Sequence, residues 1–361
     1  MADSSTNPPA PVSPSRLETA APVVEASDEP AALAAIEADD TDSLADTTST
    51  IDERISTYTA SLSSSVVDYP TENGRRYHAF RAGNYLAPND ESEMDRLDFN
   101  HMLILKTIGK GEKLFLAPVP QETTHRILDI GTGTGIWAIE AADLFPNAEV
   151  VGNDLSAIQP EWVPPNVKFE IDDVESEWLN NEKYDFILSR YMAGSIADWP
   201  KLIKNIYDNL NPDGWVEFQD YDITYHTDDG TFTDKHKTHK WITTLMQACR
   251  LVGRNPCPGP EIEGWVKEAG FVDVVHQSFK MPLGPWAKDP HLKDVGMANL
   301  IQCLDGLEGF SLRAFTTIMG WTKEEVLVLL AEVRRELKSQ AFHAYCNIHV
   351  VYAQKPKDEE D

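Results

Sequence analysis

The sequence predicts an α/β fold, a Rossmann-like sheet of seven strands with an N-terminal helical lid and a C-terminal helical cap insert. Two observations support this prediction. From residue 126 onward, short apolar segments alternate with amphipathic helical segments, which is the pattern of a parallel sheet covered on both faces. The first apolar segment also runs into a glycine-rich turn that opens a helix, as in nucleotide-binding α/β folds.

The strands follow from runs of apolar residues bounded by turn signals. Strands are predicted over 126–130, 148–154, 167–171, 184–190, 215–221, 271–279 and 345–354. A turn over 211–214, Asn-Pro-Asp-Gly, precedes the fifth strand. Helices are predicted over 136–144, after the fourth strand, from Trp241 to Gly253, and over 260–270.

The chain therefore divides into a nucleotide-binding core with additions at both ends. The parts are an acidic tail (1–55), an N-terminal helical lid (56–125), the core (126–284), a helical cap insert (285–344) and a last strand with a short tail (345–361). Within the insert, Thr322 and Glu325 have the spacing of a capping box at a helix start. The large apolar side chains Trp199, Trp215 and Trp241 are expected in the core.

The tail is predicted to be disordered. Residues 1–55 hold twelve acidic residues against two arginines and no aromatic residue. Such a segment cannot bury enough apolar surface to offset the loss of chain entropy on folding. Acidic tails of this kind often serve as interaction arms.

The formal charge of −28 argues against direct binding of nucleic acid, because that binding depends on neutralising phosphates. No window approaches the roughly 18 apolar residues of a membrane-spanning helix, and no secretory signal pattern is present. The four cysteines are far apart and are expected to be reduced thiols. We expect a cytoplasmic, and also a nuclear, location.

The glycine-rich turn, in "RILDIGTGTGIWAIE" (126–140), excludes two common nucleotide sites. A dinucleotide site requires G-x-G-x-x-G, whereas here the place of the last glycine is taken by Ile136. A phosphate-binding P-loop requires a Lys-Ser/Thr pair after the loop, which is absent. The turn therefore serves a different ligand.

The acidic residues around the turn indicate which ligand. Asp129 precedes the turn by two residues and would repel a pyrophosphate, but it suits a positively charged group. Asp154 ends the second strand, where a carboxylate can accept both hydroxyl groups of a ribose. Asp172 and Asp173 end the third strand and offer acceptors beside an adenine amino group. S-adenosylmethionine (SAM) has these features, and no phosphate.

This order of glycines and acids resembles that of class I SAM-dependent methyltransferases, and in more detail the fungal LaeA-like group. The similar blocks are "ENGRRYH", "YLAPND", "EMDRLDFNH", "LDIGTGTGIWAIE", "NDLSAIQPEWVPPNVKFEIDD", "SRYMAGSIADWP" and "NPDGWVEFQDYD", covering roughly residues 69–222. Members of this group act as regulators of secondary metabolism and development, some bound to velvet-type proteins, or as tailoring enzymes for metabolites.

The resemblance implies a set of cofactor-binding residues. The methionine end of SAM is expected at Asp129, Gly131, Gly133 and Gly135, the ribose at Asp154 and Leu155, and the adenine at Asp173 and Val174. Arg190 is also expected among the cofactor-binding residues. Either of the adjacent acids, Asp172 or Asp173, could face the ligand, and we favour Asp173. Arg190, Tyr191 and Met192 follow the fourth strand, where an acceptor would meet the methyl group; the alternative is a helix-capping turn with a surface arginine.

Methyl transfer needs an acceptor held near the methyl carbon and little else. Where a general base is used, the weak candidates are His101, Tyr77, Tyr191 and His78. A lid carrying Tyr77, His78, Arg81, Tyr85 and His101 could exclude water, although ordinary packing explains each of these residues as well. His236 and His239 form H-x-x-H without an acid or cysteine at metal spacing, so no metal site is predicted.

Two functions follow from the sequence. The first is a SAM-dependent methyltransferase that acts on a secondary metabolite or a regulatory protein, including self-methylation at a methionine such as Met192 or Met297. The second is a SAM-binding regulatory subunit of a velvet-type complex that acts mainly through protein partners. The sequence leaves the methyl acceptor open.

Overall fold

The computed structural model describes residues 68–81, 85–178 and 182–357. The predicted acidic tail (1–55) lies outside the described residues, and so do residues 56–67 of the predicted lid.

The chain between 68 and 109 forms a short hairpin followed by a long helix. The hairpin pairs β1 (Thr71–Glu72) with β2 (Arg75–Arg76), and the helix α1 spans Glu91–Gly109. Asp90 caps α1 by accepting a hydrogen bond from the backbone N–H of Glu93. The same carboxylate binds the Arg75 guanidinium through two hydrogen bonds of 2.6 and 2.8 Å. These bonds fix the hairpin to the start of α1, and this part of the predicted lid is therefore a hairpin with one helix.

One mixed sheet of seven strands forms the centre of the fold. Its strands are β3 (Arg126–Ile130), β4 (Glu149–Asp154), β5 (Val167–Ile171), β6 (Tyr184–Arg190), β7 (Leu210–His226), β8 (Val272–Pro282) and β9 (Tyr345–Gln354). Their order across the sheet is β5-β4-β3-β6-β7-β9-β8. The strands from β3 to β7 are parallel, and β9 lies antiparallel to both β7 and β8. The predicted seven-stranded α/β fold is confirmed.

The helices lie between the strands, as the pattern of amphipathic segments predicts. They are α2 (Ile136–Leu144), α3 (Trp199–Asn209), α4 (Lys237–Leu251), α5 (Gly259–Glu268), α6 (Pro290–Arg313) and α7 (Lys323–Ser339), with a π-helical turn over Ala314–Ile318. The capping box at Thr322 and Glu325 is present at the start of α7. Trp199 and Trp241 are fully buried, whereas Trp215 is only half-buried and packs against Tyr352.

Strand β7 differs from its prediction. It begins at Leu210 instead of Trp215 and ends at His226 instead of Tyr221. The pairing with β6 steps from Tyr184–Leu210 directly to Phe186–Trp215, so the predicted turn over 211–214 is an irregular bulge within the strand. Asp213 in this bulge has a positive φ of 61°. The turn residues thus bend the strand without separating it from the sheet.

The order of the strands determines where a ligand can bind. Strand β3 is flanked by β4 on one side and by β6 on the other, so successive connections leave it in opposite directions. In open α/β sheets, ligands bind at such a switch point, beyond the carboxyl ends of the strands. The glycine turn, Asp154 and Tyr191 all lie at that edge of the sheet.

The cap helices pack beside α1. Arg96 and Lys106 of α1 contact Gln302 and Asp294 of α6, respectively, which shows that the two helices run antiparallel. Helix α7 packs on α4 and α6. The cap insert therefore covers the carboxyl-end edge of the sheet together with α1.

Three further structural findings concern the described part of the chain. All four cysteines are free thiols. No described helix is long and apolar enough to cross a membrane. Within the described ranges, His, Cys, Asp and Glu side chains form no group of three that could hold a metal ion.

Gly296 of α6 packs closely against the backbone of Gly284, just after β8. A Cβ at this position of α6 would overlap the carbonyl oxygen of Gly284, which also donates its N–H to the Gly296 carbonyl at 3.0 Å. We expect Gly296→Ala to lower the free energy of unfolding by about 1–3 kcal/mol, because the backbone has to move apart. Equilibrium urea unfolding measures this change.

The matched control is Gly264→Ala, in the middle of α5, where a Cβ would meet no atom within 4 Å. Alanine there is expected to stabilise the helix by up to about 1 kcal/mol. Equal effects of the two substitutions would contradict the close contact at Gly296.

Candidate cofactor cleft and adjoining cavity

The turn between β3 and α2 has a left-handed backbone at three glycines. Gly131, Gly133 and Gly135 have φ values of 66°, 58° and 83°. A residue with a Cβ rarely adopts such values, so glycine is needed at each position. Gly135 is also the N-cap of α2, and a Cβ there would overlap the ring of Phe169 on β5. The third glycine thus allows close packing of the turn on the sheet.

The Asp154 carboxylate holds the turn in place. Its Oδ2 atom accepts a hydrogen bond from the Gly133 N–H at 2.9 Å, and its Oδ1 atom accepts one from the Ser156 N–H at 2.9 Å. Gln159 donates to the Gly133 carbonyl oxygen at 2.6 Å. One acidic side chain therefore connects the end of β4 to the glycine turn, and both border the same cleft.

Asp129 lies beneath the turn and is only 3% exposed. Its Oδ2 atom accepts a hydrogen bond of 2.6 Å from the Thr132 hydroxyl group. Burial raises the pKa of Asp129 to about 6, although the Thr132 hydroxyl and the charge of Arg190 act in the opposite direction. The carboxyl is thus positioned to change charge just below neutral pH.

A cleft opens above these residues. It is lined by six of the residues expected to contact SAM: Gly131, Gly133, Asp154, Leu155, Asp173 and Val174. Asp172 lines it as well, so the structure brings both adjacent acids to the cleft. Asp129, Gly135 and Arg190 lie behind this lining.

Arg190 and His101 form a buried pair behind the turn. The Nη2 atom of Arg190 donates to Nδ1 of His101 at 2.8 Å, and Nε2 of His101 is 3.1 Å from a Glu140 carboxylate oxygen. Burial, and secondly the charge of Arg190, lower the pKa of His101 to about 3. His101 is therefore neutral, with both nitrogens engaged, and it lines neither this cleft nor the second cavity described below.

Tyr77 and His78 also lie away from the cleft lining. Tyr77 is fully buried, and the Arg313 guanidinium stacks over its ring at 4.3 Å. Burial raises the pKa of Tyr77 to about 12 and lowers the pKa of His78. Tyr77 and His78 are therefore packing residues. Of the candidate bases, Tyr191 alone lines the cleft.

The segment before α1 contacts both acidic strand ends. Asn89 donates to the Ser156 hydroxyl at 3.2 Å, and Arg81 lies 3.7 Å from an Asp173 carboxylate oxygen. Tyr85 lines the cleft between these contacts. The polar and aromatic residues before α1 thus form one wall of the cleft, which their sequence spacing alone did not show.

A second cavity adjoins the cleft. The two share Tyr85 and Tyr191. Tyr191 has a positive φ of 61°, an uncommon conformation that recurs at functional sites. Its ring meets the Tyr221 ring edge-on at a centroid distance of 5.2 Å. Tyr191 therefore stands between the two spaces in a fixed orientation.

Arg96 is the side chain that fixes Tyr191. Its guanidinium donates to the Tyr191 hydroxyl at 3.3 Å and to the Gln302 Oε1 atom at 3.0 Å. Two further bonds, of 2.9 and 2.6 Å, join it to the Glu93 carboxylate, and both partners are 2% exposed. This ion pair connects α1, α6 and the loop after β6. Sequence reasoning did not identify Arg96.

Two buried acids of β7 support the site from below. Asp220 accepts hydrogen bonds from the backbone N–H groups of Met192 and Ala193 at 2.8 and 3.0 Å, which shapes the loop after β6. Glu217 accepts from Leu116 and Ala117 at 2.7 and 2.6 Å. Burial raises the pKa of each acid to about 7. Sequence reasoning missed both, although acids inside an apolar strand were the available signal.

The raised pKa of Glu217 has a consequence for stability. In the folded chain this carboxyl keeps its proton at a pH where the unfolded chain has released it, so stability is lost as the pH rises from about 4.5 to about 7. We expect Glu217→Gln to reduce the fall in unfolding free energy over this window by up to about 1.4 kcal/mol per pH unit. Urea unfolding between pH 5 and pH 8 measures it.

Glu112→Gln, on the exposed connection before β3, is the control and should leave the pH dependence as in the original chain. If the unfolding free energy fell equally with pH in the original chain, in Glu217→Gln and in Glu112→Gln, Glu217 would not titrate in this range.

The comparisons with known proteins agree with this architecture. A family model described as "Methyltransferase domain" matches residues 73–277, which is more than half of the chain. "Methyltransferase pytC" of Aspergillus terreus is 46% identical over 297 residues, covering 82% of this chain and 91% of that protein.

Two further relatives carry names from secondary metabolism. "Secondary metabolism regulator LAE1" of Cochliobolus heterostrophus is 39% identical over 79% of this chain and 94% of its own length. "Protein-methionine methyltransferase laeA" of Emericella nidulans is 36% identical over 79% of this chain and 76% of its own length. The chain belongs to the methyltransferase-domain family and is a LaeA-like, SAM-dependent methyltransferase.

Proposed function

We propose that the cleft beside the glycine turn binds SAM and that the chain transfers its methyl group to a small molecule in the adjoining cavity, as a step of secondary metabolism. The meeting of the two spaces at Tyr85 and Tyr191 is the observation that carries this proposal. A methyl transfer requires donor and acceptor to meet in a site shielded from water.

The residues of the cleft fit SAM. The glycine turn leaves room for a ligand close to the backbone, since Gly133 has no side-chain atom nearer than 3.6 Å to a Cβ position. In our assignment, Gly131 and Gly133 border the methionine end, with the charge of Asp129 beneath them, Asp154 and Leu155 face the ribose, and Asp173 and Val174 face the adenine. When bound, SAM supplies an electrophilic methyl group on a positively charged sulfur.

The chain's own residues have supporting roles in this proposal. Arg190 balances the buried charge of Asp129, and burial together with the charge of Arg190 keeps the His101 ring neutral. Asp220 holds the backbone of Met192 and Ala193 at the border between the two spaces. Positioning therefore contributes more than proton transfer in this proposal, since the described residues that line the two spaces include no histidine.

The names of the relatives favour a second candidate, a regulatory role. Two of the three are named a regulator and a protein-methionine methyltransferase. In this candidate the chain binds SAM as a subunit of a velvet-type complex and methylates a protein, or itself, with Met192 beside Gly131 as the nearest methionine of the cleft. The four free thiols favour the reducing cytoplasm or nucleus for both candidates.

Mass spectrometry of the purified protein incubated with SAM, alone and with extracts of the source cells, tests the proposed function. We expect a small molecule that gains the mass of one methyl group. Asp154→Ala should abolish this product and weaken SAM binding by at least tenfold in calorimetry, because it removes the ribose acceptor and releases the Gly133 N–H.

The control is Asp208→Ala, at an exposed acid of α3 that pairs with Lys204 and lies outside the cleft lining. It should keep both binding and product. A methylated protein in place of a methylated small molecule would favour the regulatory candidate. Full SAM affinity in Asp154→Ala would contradict the assignment of the cleft.

The charge of Asp129 is expected to make SAM binding depend on pH. Its pKa of about 6 means that the carboxylate loses its charge as the pH falls through that value, and with it the attraction for a cationic ligand. Calorimetry between pH 5 and pH 8 should show the affinity falling by up to tenfold per pH unit below about pH 6. Asp129→Asn should bind SAM weakly, with little change over the same range. A flat profile of the original chain would exclude this role.

A further inference from the structure

The cavity beside the SAM cleft has a mainly aromatic and aliphatic wall. Its large apolar side chains come from the segment before α1, from β7, from α4 and from α6: Leu86, Ile223, Tyr225, Trp241, Leu245 and Phe310. Burying apolar surface of a ligand against such a wall is favourable by roughly 25 cal/mol per Å². The wall therefore suits an apolar molecule with an aromatic ring.

The charges around the cavity are already balanced. Arg96 is the one charged side chain among the described residues that line it. Its guanidinium is engaged by the Glu93 carboxylate through two hydrogen bonds, and by Gln302 and Tyr191. A ligand anion would find no uncompensated cation here, and a ligand cation would find no acid in the lining. Either ion would lose its hydration without a partner.

The remaining polar groups of the lining are uncharged. Gln302 accepts from Arg96 through Oε1, and its amide nitrogen donates to no acceptor among the described residues. Asn299 donates to the Pro282 carbonyl oxygen at 3.0 Å. Burial raises the pKa of the Cys249, Cys303 and Cys346 thiols to about 11 or 12, so these groups stay neutral too.

We propose that this cavity is the methyl-acceptor site and that it selects an uncharged, mainly apolar molecule of aromatic size with a hydroxyl or carbonyl oxygen near Gln302. The inference rests on the proposed function, because it places the methylated atom at the Tyr191 border of the SAM cleft. It excludes charged peptide side chains and phosphorylated molecules as acceptors in this cavity.

Three probes with one ring system test the selection by charge: 2-naphthol, 2-naphthoate and 2-naphthylmethylammonium. Their binding to the full chain is measured by fluorescence titration at neutral pH, with S-adenosylhomocysteine at saturation. We expect 2-naphthol to bind at least tenfold more tightly than either ion. Equal or tighter binding of an ion, or no binding of 2-naphthol, would overturn the proposal.

Leu245→Trp fills the cavity from α4. Leu86→Trp fills it from the segment before α1 and serves as a second variant if Leu245→Trp does not fold. Each should weaken 2-naphthol binding at least tenfold. The control, Leu251→Trp, lies on the same helix as Leu245 at a position that is 62% exposed, and it should bind 2-naphthol as the original chain does. Unchanged affinity in the filled variants would place the probe elsewhere and refute the site.

Calorimetry with S-adenosylhomocysteine on the same proteins separates this inference from the proposed function. Normal S-adenosylhomocysteine binding without selection among the probes contradicts only the acceptor site. Failure of the original chain to bind S-adenosylhomocysteine contradicts the proposed function itself.

Discussion

The buried ion pair of Arg96 and Glu93 is the contact on which the ligand-binding half of the molecule depends. It joins α1 to α6 through Gln302 and to the sheet through Tyr191. Because both charges are almost completely buried, loss of either partner would leave the other unpaired, at a cost of several kcal/mol. The same pair fixes the aromatic side chain that borders both cavities. Stability and the geometry of the site are therefore linked in one network.

A second group of buried charges supports the cofactor cleft. Arg190 lies among Asp129, Glu140 and Glu217, whose negative charges oppose the effect of burial on its own pKa. Asp129 and Glu217, for their part, have raised pKa values because burial outweighs the attraction of this one cation. The site thus contains more acids than bases, which suits a positively charged cofactor. The sequence identified Asp129 in this group but not Glu217.

The two cavities differ in the kind of recognition that they offer. The cofactor cleft is lined by carboxylates and a glycine turn, which suit a polar ligand. The second cavity is lined mainly by aromatic rings, neutral thiols and amides, which suit an apolar ligand. Tyr85 and Tyr191 belong to both. Such a pairing allows a polar donor and an apolar acceptor to meet without either site accepting the other ligand.

The sequence by itself determined the sheet, the glycine turn and the acids Asp154 and Asp173, because these features are local: a strand, the turn after it and the residue at its end are neighbours in the chain. Only the tertiary structure decided the roles of Arg96, Glu217 and Asp220. Their partners lie up to about two hundred residues away in the chain, as Gln302 does from Arg96. The spacing of apolar residues along a helix or strand does not indicate such distant contacts. It likewise placed His101 and Tyr77 in the packing, since helical spacing shows which face is buried but not which cavity that face meets.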